Sequence, residues 1–390
     1  MSAFSRRAIV SPLVASLSLL LAACAAPADQ ASSPDDAASV DSELSLSQRA
    51  AVFTLSNEAQ NAVIAFKRGL DGSLTLAGKT FTGGAGTGGG LGSQGALALT
   101  PNGHWLVAVN AGSNEVSVFA VSGTGLRLTS VTPSGGLMPI SVAARAGLVY
   151  VLNAGGSGNV AGFRLDGYGR LQRIGGATRP LSTGASGPAQ VAIAPDLRNV
   201  VVTEKATSSI TTYAVYEDGS LGGPAATPSS GQTPFGFALT SDGTLVVSEA
   251  VGAAAGAGTV SSYRVGASAT PSLRSASVRT SQTAPCWVAV TGDDAYAYSA
   301  NTPSGTITGL AIDTEGNLSL LSAGGQSAAI GDGSKPTDLA VSHGDKFLYV
   351  LEAGAHAISA FQVREDGSLA PAPVPCADNL PASTVGLVVI

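Results

Sequence analysis

Seven times along this chain an apolar run ends in Asn or Glu, at Asn57, Asn110, Asn153, Glu204, Glu249, Asn301 and Glu352, with a spacing of about fifty residues. After each comes a Val or Ile three residues ahead of a large apolar side chain: Val63/Phe66, Val116/Phe119, Val160/Phe163, Ile210/Tyr213, Val260/Tyr263, Ile307/Leu310 and Ile358/Phe361. A turn and a Leu follow, at Leu74, Leu126, Leu171, Leu221, Leu273, Leu318 and Leu369. Four of these turns are Asp-Gly or Glu-Gly with one polar residue after, and the glycine supplies the positive φ that a tight hairpin needs. Each unit also opens on a short apolar run, usually after Pro, as at residues 188–194 and 336–342. A period of this length outranks any local motif, and four short strands per unit make a propeller blade. The unit containing Asn57 lacks an opening strand, because the first complete one lies at residues 95–99 in the second unit. Residues 381–390 supply a spare. The expected fold is all-β: one seven-bladed β-propeller over residues 51–390, closed by pairing of the C-terminal strand with the N-terminal blade. Closure removes the free sheet edges that recruit other chains, so a monomer is expected.

Composition agrees with this. The chain has 50 Gly and 20 Pro in 390 residues, and in helix interiors these cost about 1 and about 3 kcal/mol each. Charged residues make up 12% and hydrophobic ones 44%, too little charge and too much apolar surface for disorder. A net charge of −6 does not suit a polyphosphate partner, so no nucleic acid is expected.

The first 23 residues read as an export signal. Ser5-Arg6-Arg7 is a basic start, residues 8–23 are apolar but broken by Pro12 and three serines, and Leu21-Ala22-Ala23-Cys24 closes the run. The run is too short and interrupted for a membrane-spanning helix. It resembles a bacterial lipoprotein signal, which implies lipidation of Cys24 and a chain anchored to the cell envelope, at the outer membrane in a Gram-negative cell because residue 25 is Ala. Ser5-Arg6-Arg7-Ala8-Ile9-Val10 equally resembles a twin-arginine signal, with an ordinary basic start as the alternative. Residues 24–50, rich in Ala, Ser, Asp and Pro, read as a flexible tether.

In a four-stranded blade the inner strand runs down from one face and the second returns to it. The seven Asn/Glu positions and the residues beside each opening Pro therefore share the face around the channel mouth. His104 and His343 fall on the opposite face, which leaves His356 as the histidine with a candidate chemical role. Glu204, Glu249 and Glu352 could converge there as an acid/base group; alternatively, Asn and Glu at strand ends satisfy backbone groups of the next loop. Glu249 stands out because residues 250–259, almost pure Gly, Ala and Val, form a longer loop that could act as a lid or wall. No HxxxH, CxxC or His-carboxylate cluster occurs, so neither a metal nor another cofactor is expected. Gly84-Ala-Gly86-Thr-Gly-Gly89 matches GxGxxG in letters, but no helix follows it. Cys286 and Cys376 could pair in an oxidising compartment, or Cys286 could serve as a small buried hydrophobe.

The blade pattern Pro-x-x-Val-Ala, Leu-Tyr-Val-x-Asn, Val-x-x-Phe, Asp-Gly-Ser-Leu resembles the lactonase family of seven-bladed propellers, which includes bacterial 6-phosphogluconolactonases and fungal 3-carboxymuconate cyclases. The likeness covers about residues 50–390, and Pro234-Phe-Gly-Phe-Ala, Val246-Val-Ser-Glu249-Ala and Ala284-Pro-Cys-Trp287 look like a secreted branch of it. The resemblance implies metal-independent chemistry at an ester carbonyl, either lactone hydrolysis or the reverse cyclisation. A His or Glu would move protons and an Arg would hold an acidic substrate. Two departures stand out: Pro188-Ala189-Gln190-Val191 replaces Pro-His-x-His, and Pro234-Phe235-Gly236 replaces Pro-Arg-His. Glu249 matches the family's Glu, and Arg179 is the candidate substitute clamp. In the enzyme reading Glu249, Arg179 and His356 act on a lactone or sugar acid bordered by Phe235, Trp287, Gln190, Glu204 and Glu352. In the binding reading the same aromatic-flanked mouth, tethered to the membrane, holds a ligand or a protein without chemistry.

Overall fold

The computed structural model describes residues 50–372 and 377–390. Seven antiparallel sheets account for the repeats, one to each. Their innermost strands are Val385–Val389, Leu97–Leu99, Pro139–Arg145, Pro188–Ile193, Pro234–Leu239, Pro285–Val290 and Pro336–Val341. We number the blades 1 to 7 in that order. The C-terminal strand pairs antiparallel with Ala51–Leu55, so blade 1 is built from both ends of the chain, as expected. Thr54 Oγ1 donates to Gly386 O at 2.6 Å and Ser383 Oγ to Ser56 O at 2.7 Å, which fixes the register of the closure. In blade 6 the outer strand is interrupted: Leu318–Leu320 and Ala328–Ala329 both pair with Thr306–Ile312. Among the described residues the helical content is a single 3-10 turn, Val251–Ala253.

The repeat is the core. All fourteen members of the Val/Ile and large-apolar pairs on the third strands are at most 3% exposed. Each such side chain stabilises the packed sheets by roughly 1.5–3 kcal/mol relative to water. Leu273 departs from its equivalents and is 48% exposed, because blade 5 reaches its outer strand, Ser272–Arg279, through a longer turn.

Neighbouring blades are latched through the hairpin turns. In five of the turns a glycine at positive φ, Gly72, Gly169, Gly219, Gly316 or Gly367, offers its carbonyl to the preceding blade. Tyr150, Tyr298 and Tyr349 donate their hydroxyls to Gly219, Gly367 and Gly72 O at 2.8, 2.8 and 3.0 Å. Ser130 and Ser262 do the same for Gly169 and Gly316 at 2.7 and 2.6 Å. The Tyr349 bond joins blade 7 to blade 1, so it seals the ring a second time.

Candidate functional site

Six of the seven Asn and Glu residues close a second strand, as the repeat predicts, and Asn57 follows one by two residues, but all lie inside the protein. Six are 0% exposed and Glu352 is 6% exposed. Glu249 Oε1 accepts from Ser229 Oγ at 2.9 Å, Gly231 N at 2.7 Å and Ser261 Oγ at 2.8 Å, and its Oε2 accepts from Thr259 Oγ1 at 2.6 Å and Ser277 Oγ at 3.4 Å. With every lone-pair direction occupied and no solvent contact, this carboxylate ties the strand end to the preceding loop. It has no approach to a substrate at the mouth. Glu204 accepts from Ser182 N at 3.0 Å, from the Ser182 hydroxyl and from Thr207 Oγ1 at 3.2 Å. Glu352 accepts from the Ser359 hydroxyl, and burial raises its carboxyl above the ordinary glutamate range. Asn301 plays the same part through Nδ2 bonds to Thr306 and Thr308 Oγ1 at 3.1 and 2.9 Å. These residues are thus engaged within their own blades: Glu204 and Glu249 tie strand ends to the preceding loop rather than to backbone groups of the following one, and Glu352 and Asn301 bond side chains of the next strand.

Arg179 and His356 do not join Glu249. Arg179 belongs to the outermost strand of blade 3, Leu171–Pro180, and not to the approach to the fourth inner strand. Its Nε donates to Gly222 O at 3.2 Å on the outside of the ring. His356 sits in the turn after Glu352 at φ 55°, and its imidazole makes no hydrogen bond among the described residues. The loop after Glu249 is no open lid, since Val251 N, Gly252 N and Gly256 N bond to Gln232 O, Thr233 Oγ1 and Thr283 Oγ1 of the loops on either side. Cys286 is a free, buried thiol, and burial pushes it up to about 12. Cys376, Cys24, the signal and the tether up to residue 49 lie outside the described residues. Among the described residues no three His, Cys, Asp or Glu side chains converge as metal ligands would, and no helix is long and apolar enough to cross a membrane.

The mouth itself is filled by residues 91–95, which lead into the inner strand of blade 2. Gln94 reaches across the channel to blade 6, where its Nε2 donates to Val288 O at 2.7 Å and its Oε1 accepts from Val288 N at 3.0 Å. Its own N–H goes to Ala189 O of blade 4 at 3.1 Å. The same two-way clamp recurs between blades 4 and 5, where Gln190 bonds Phe237 O at 2.9 Å and Phe237 N at 2.7 Å. Gln190 therefore joins neighbouring blades and lies 9% exposed, its amide oxygen and nitrogen both bonded to the Phe237 backbone. In blade 5 the residue equivalent to Gln190 is Gly236. A Cβ there would stand 2.1 Å from Gln94 Oε1 and 2.4 Å from Cys286 O, so glycine is required for Gln94 to supply the missing clamp. This is the position at which the family resemblance expects a histidine. The Gly-rich run ahead of the plug has a packing role too, since a Cβ on Gly86 would meet the Asn57 carbonyl carbon at 2.2 Å.

Phe235 and Trp287 do come together, with ring centroids 4.9 Å apart, but each is only 8% exposed beneath the plug. Trp287 Nε1 donates to Ser93 O at 3.0 Å. Lys205 completes the cluster, its Nζ 4.9 Å from the Phe235 ring centroid and 2.6 Å from Gly92 O. Burial holds this ammonium below the usual lysine range. Lys205 also borders a cavity of about 380 Å³ between blades 3 and 4, with Leu91, Ile140, Leu181 and Ser186 among its walls. Sequence reasoning passed over Lys205. The signal was there: the residue after the strand-end Asn or Glu is Ala in four of the seven units, and Lys at 205 breaks that pattern.

The family model described as "Lactonase, 7-bladed beta-propeller" matches residues 42–179 and 157–252. The chain belongs to this lactonase family. Among solved structures, a candidate 6-phosphogluconolactonase from Bacteroides uniformis is similar to it with 15% identity and a TM-score of 0.65, covering 87% of this chain and 100% of that one. The periplasmic gluconolactonase of Pseudomonas aeruginosa aligns at 13% identity and a TM-score of 0.63, over 87% and 99% of the two chains. A protein from Lactobacillus plantarum reaches 17% identity and a TM-score of 0.66, over 88% and 99%. At these identities the likeness establishes the propeller of this lactonase-family member and not its activity. No curated protein sequence matches the chain significantly.

Proposed function

We propose that this lactonase-family propeller holds a small organic acid, or the lactone of one, beside its mouth, and does not turn it over through an acid/base carboxylate. The observation that carries this reading is the state of Glu249. It is wholly buried and accepts five hydrogen bonds of 2.6–3.4 Å, whereas Lys205 next to the plug is among the residues that line a cavity. A general base must come within hydrogen-bond reach of the proton it takes, and Glu249 offers no such approach. A lysine lining a cavity is suited to binding an acidic group. The relatives described as gluconolactonases favour the acid or lactone as ligand class. We place the protein on the bacterial cell envelope, exported by residues 1–23 and lipidated at Cys24, from the pattern of those residues alone.

The test presents the full chain with a panel of sugar lactones and their acids, followed by calorimetry for binding and by acid release for turnover. Binding without turnover, weakened in Lys205→Met, is expected. Lactone hydrolysis that Glu249→Gln abolishes in a folded protein would overturn the reading. Cys24→Ser should move the protein from the membrane fraction to the soluble fraction, and retention in the membrane would contradict lipidation.

A further inference from the structure

Two consecutive carbonyls of the plug occupy two side-chain donors at the mouth. Gly92 O accepts from the Lys205 ammonium at 2.6 Å, and Ser93 O accepts from Trp287 Nε1 at 3.0 Å. The donors come from blades 4 and 6, and the Phe235 ring of blade 5 is in contact with both. Its centroid is 4.9 Å from Lys205 Nζ and 4.9 Å from the Trp287 ring centroid. Among the described residues the ion pairs are Lys79 with Glu58 and Arg264 with Asp242, so no carboxylate neutralises Lys205. A half-buried cation on a neutral carbonyl and a ring is short of an anion, because burying a charge is costly without an opposite one.

The plug is held by bonds that a ligand can exchange. Leu91 is its one large apolar residue and is half-buried. The rest of its hold is hydrogen bonding: Ser93 Oγ to Ile140 O at 2.8 Å, Gln94 N to Ala189 O at 3.1 Å, and the Gln94 clamp on Val288. Each such bond adds little net stability, since water can replace it. Asn57 fixes the chain just upstream, through Gly88 N and Gly89 O. Between that anchor and the inner strand of blade 2, glycines flank the plug. A Cβ on Gly90 would meet nothing within 4 Å, and Gly95 has φ 82°, so both ends have the backbone freedom that a swing needs.

We infer that the plug is a built-in competitor for a binding site formed by Lys205, Trp287 and Phe235, and that a sugar acid binds there by displacing it. The inference rests on the acid-binding reading above and adds where the acid sits and what it must move. A carboxylate oxygen takes the place of Gly92 O on the ammonium, and the hydroxyl on the adjacent carbon takes the place of Ser93 O on the indole N–H. A charged pair of this kind is about twice as strong as the bond to a neutral carbonyl, which lets the acid win the exchange. The C–H side of the carbon chain lies along the Phe235 and Trp287 rings. A neutral lactone has no such advantage over Gly92 O, so the site favours the acid. The closed plug weakens the apparent affinity by the fraction of molecules in which it is open.

The full chain, as wild type and as Gln94→Ala, is titrated by calorimetry with gluconate and with the neutral polyol sorbitol. Gluconate should bind and sorbitol should not. Gln94→Ala loosens the plug without touching Lys205 or Trp287, and should tighten gluconate at least fivefold, with thermal melts confirming that it folds. Lys205→Met should weaken gluconate at least tenfold in either background. In the wild type, saturating gluconate should speed hydrogen exchange at the Val288 amide at least tenfold, a readout that needs no variant. Gluconate binding that leaves Val288 slow, or that is no tighter in folded Gln94→Ala, would overturn the inference and leave the acid-binding reading standing. Gluconate silent in both proteins, or sorbitol binding as tightly as gluconate, would overturn both.

Discussion

Asp338 should give this propeller a stability that falls as pH rises. It lies on the inner strand of blade 7, is 2% exposed, and accepts a hydrogen bond from Leu339 N at 2.8 Å and another from the backbone of Leu387 in the closing strand. Burial outweighs both bonds and pushes its carboxyl up to about 8. An unfolded aspartate has a pKa of about 3.9. Between about pH 4 and pH 8 the unfolded chain has therefore released this proton while the native chain keeps it. The unfolded state binds fewer protons in that window, so stability decreases with pH, by about 1.4 kcal/mol per unit for one group. The contribution is complete below about pH 4 and lost as pH passes about 8. The three units from pH 4 to pH 7 amount to about 4 kcal/mol. Asp338→Asn keeps an acceptor for Leu339 and Leu387 and removes the titration. Urea unfolding of both proteins at half-unit steps from pH 5 to pH 8.5 isolates the effect in their difference, because Glu352, which burial shifts the same way, is common to both. The variant should gain on the wild type steadily with pH and stop gaining above about 8. A constant difference across the range would refute the reasoning.

Other substitutions probe the packing. Gly236→Ala places a methyl 2.1 Å from Gln94 Oε1 and 2.4 Å from a backbone carbonyl that cannot retreat, and should cost roughly 1–3 kcal/mol in thermal unfolding. Glu249→Ala leaves five donors facing an empty space and should cost roughly 3 kcal/mol or more by urea midpoint, well beyond Glu249→Gln. Tyr298→Phe removes the latch on Gly367 O and should cost about 1–2 kcal/mol in the same assay. Cys286, buried and with its thiol pushed up to about 12, should stay inert to a thiol reagent at pH 8 until denaturant is added.

The architecture was legible because a blade repeats its physics. A Val or Ile three residues from a large apolar side chain must be buried each time, and a positive-φ glycine turns most of the outer hairpins, so both recur in sequence. The closing strand was legible by subtraction, since Asn57 had a blade without an inner strand and the chain end had a strand without a blade. The site was less legible for a physical reason. Side-chain type at a strand end does not tell whether a Glu faces the channel or a neighbouring loop, and Glu249 faces the preceding loop and the next strand because Ser229, Gly231, Thr259 and Ser261 surround it. Arg179 was placed at the mouth by its nearness in sequence to the fourth inner strand, whereas its backbone pairs with Val160 on the outer side of blade 3. Gln94 was invisible because its work is done on the far side of the ring. It stands almost two hundred positions from Val288, and the gap it fills at Gly236 belongs to a third blade. Lys205 could have been found as the one break toward a basic residue in an alanine-rich repeat position.

Whether the mouth is sealed can be measured at one amide. Val288 N donates to Gln94 Oε1, so its hydrogen exchange reports on the plug. In the full native chain the Val288 amide should exchange as slowly as the amides of the blade cores, and Gln94→Ala should speed it at least tenfold while leaving the Val201 and Val247 amides slow. Fast exchange at Val288 in the wild type, or no change on removing the Gln94 side chain, would mean that residues 91–95 do not close the channel.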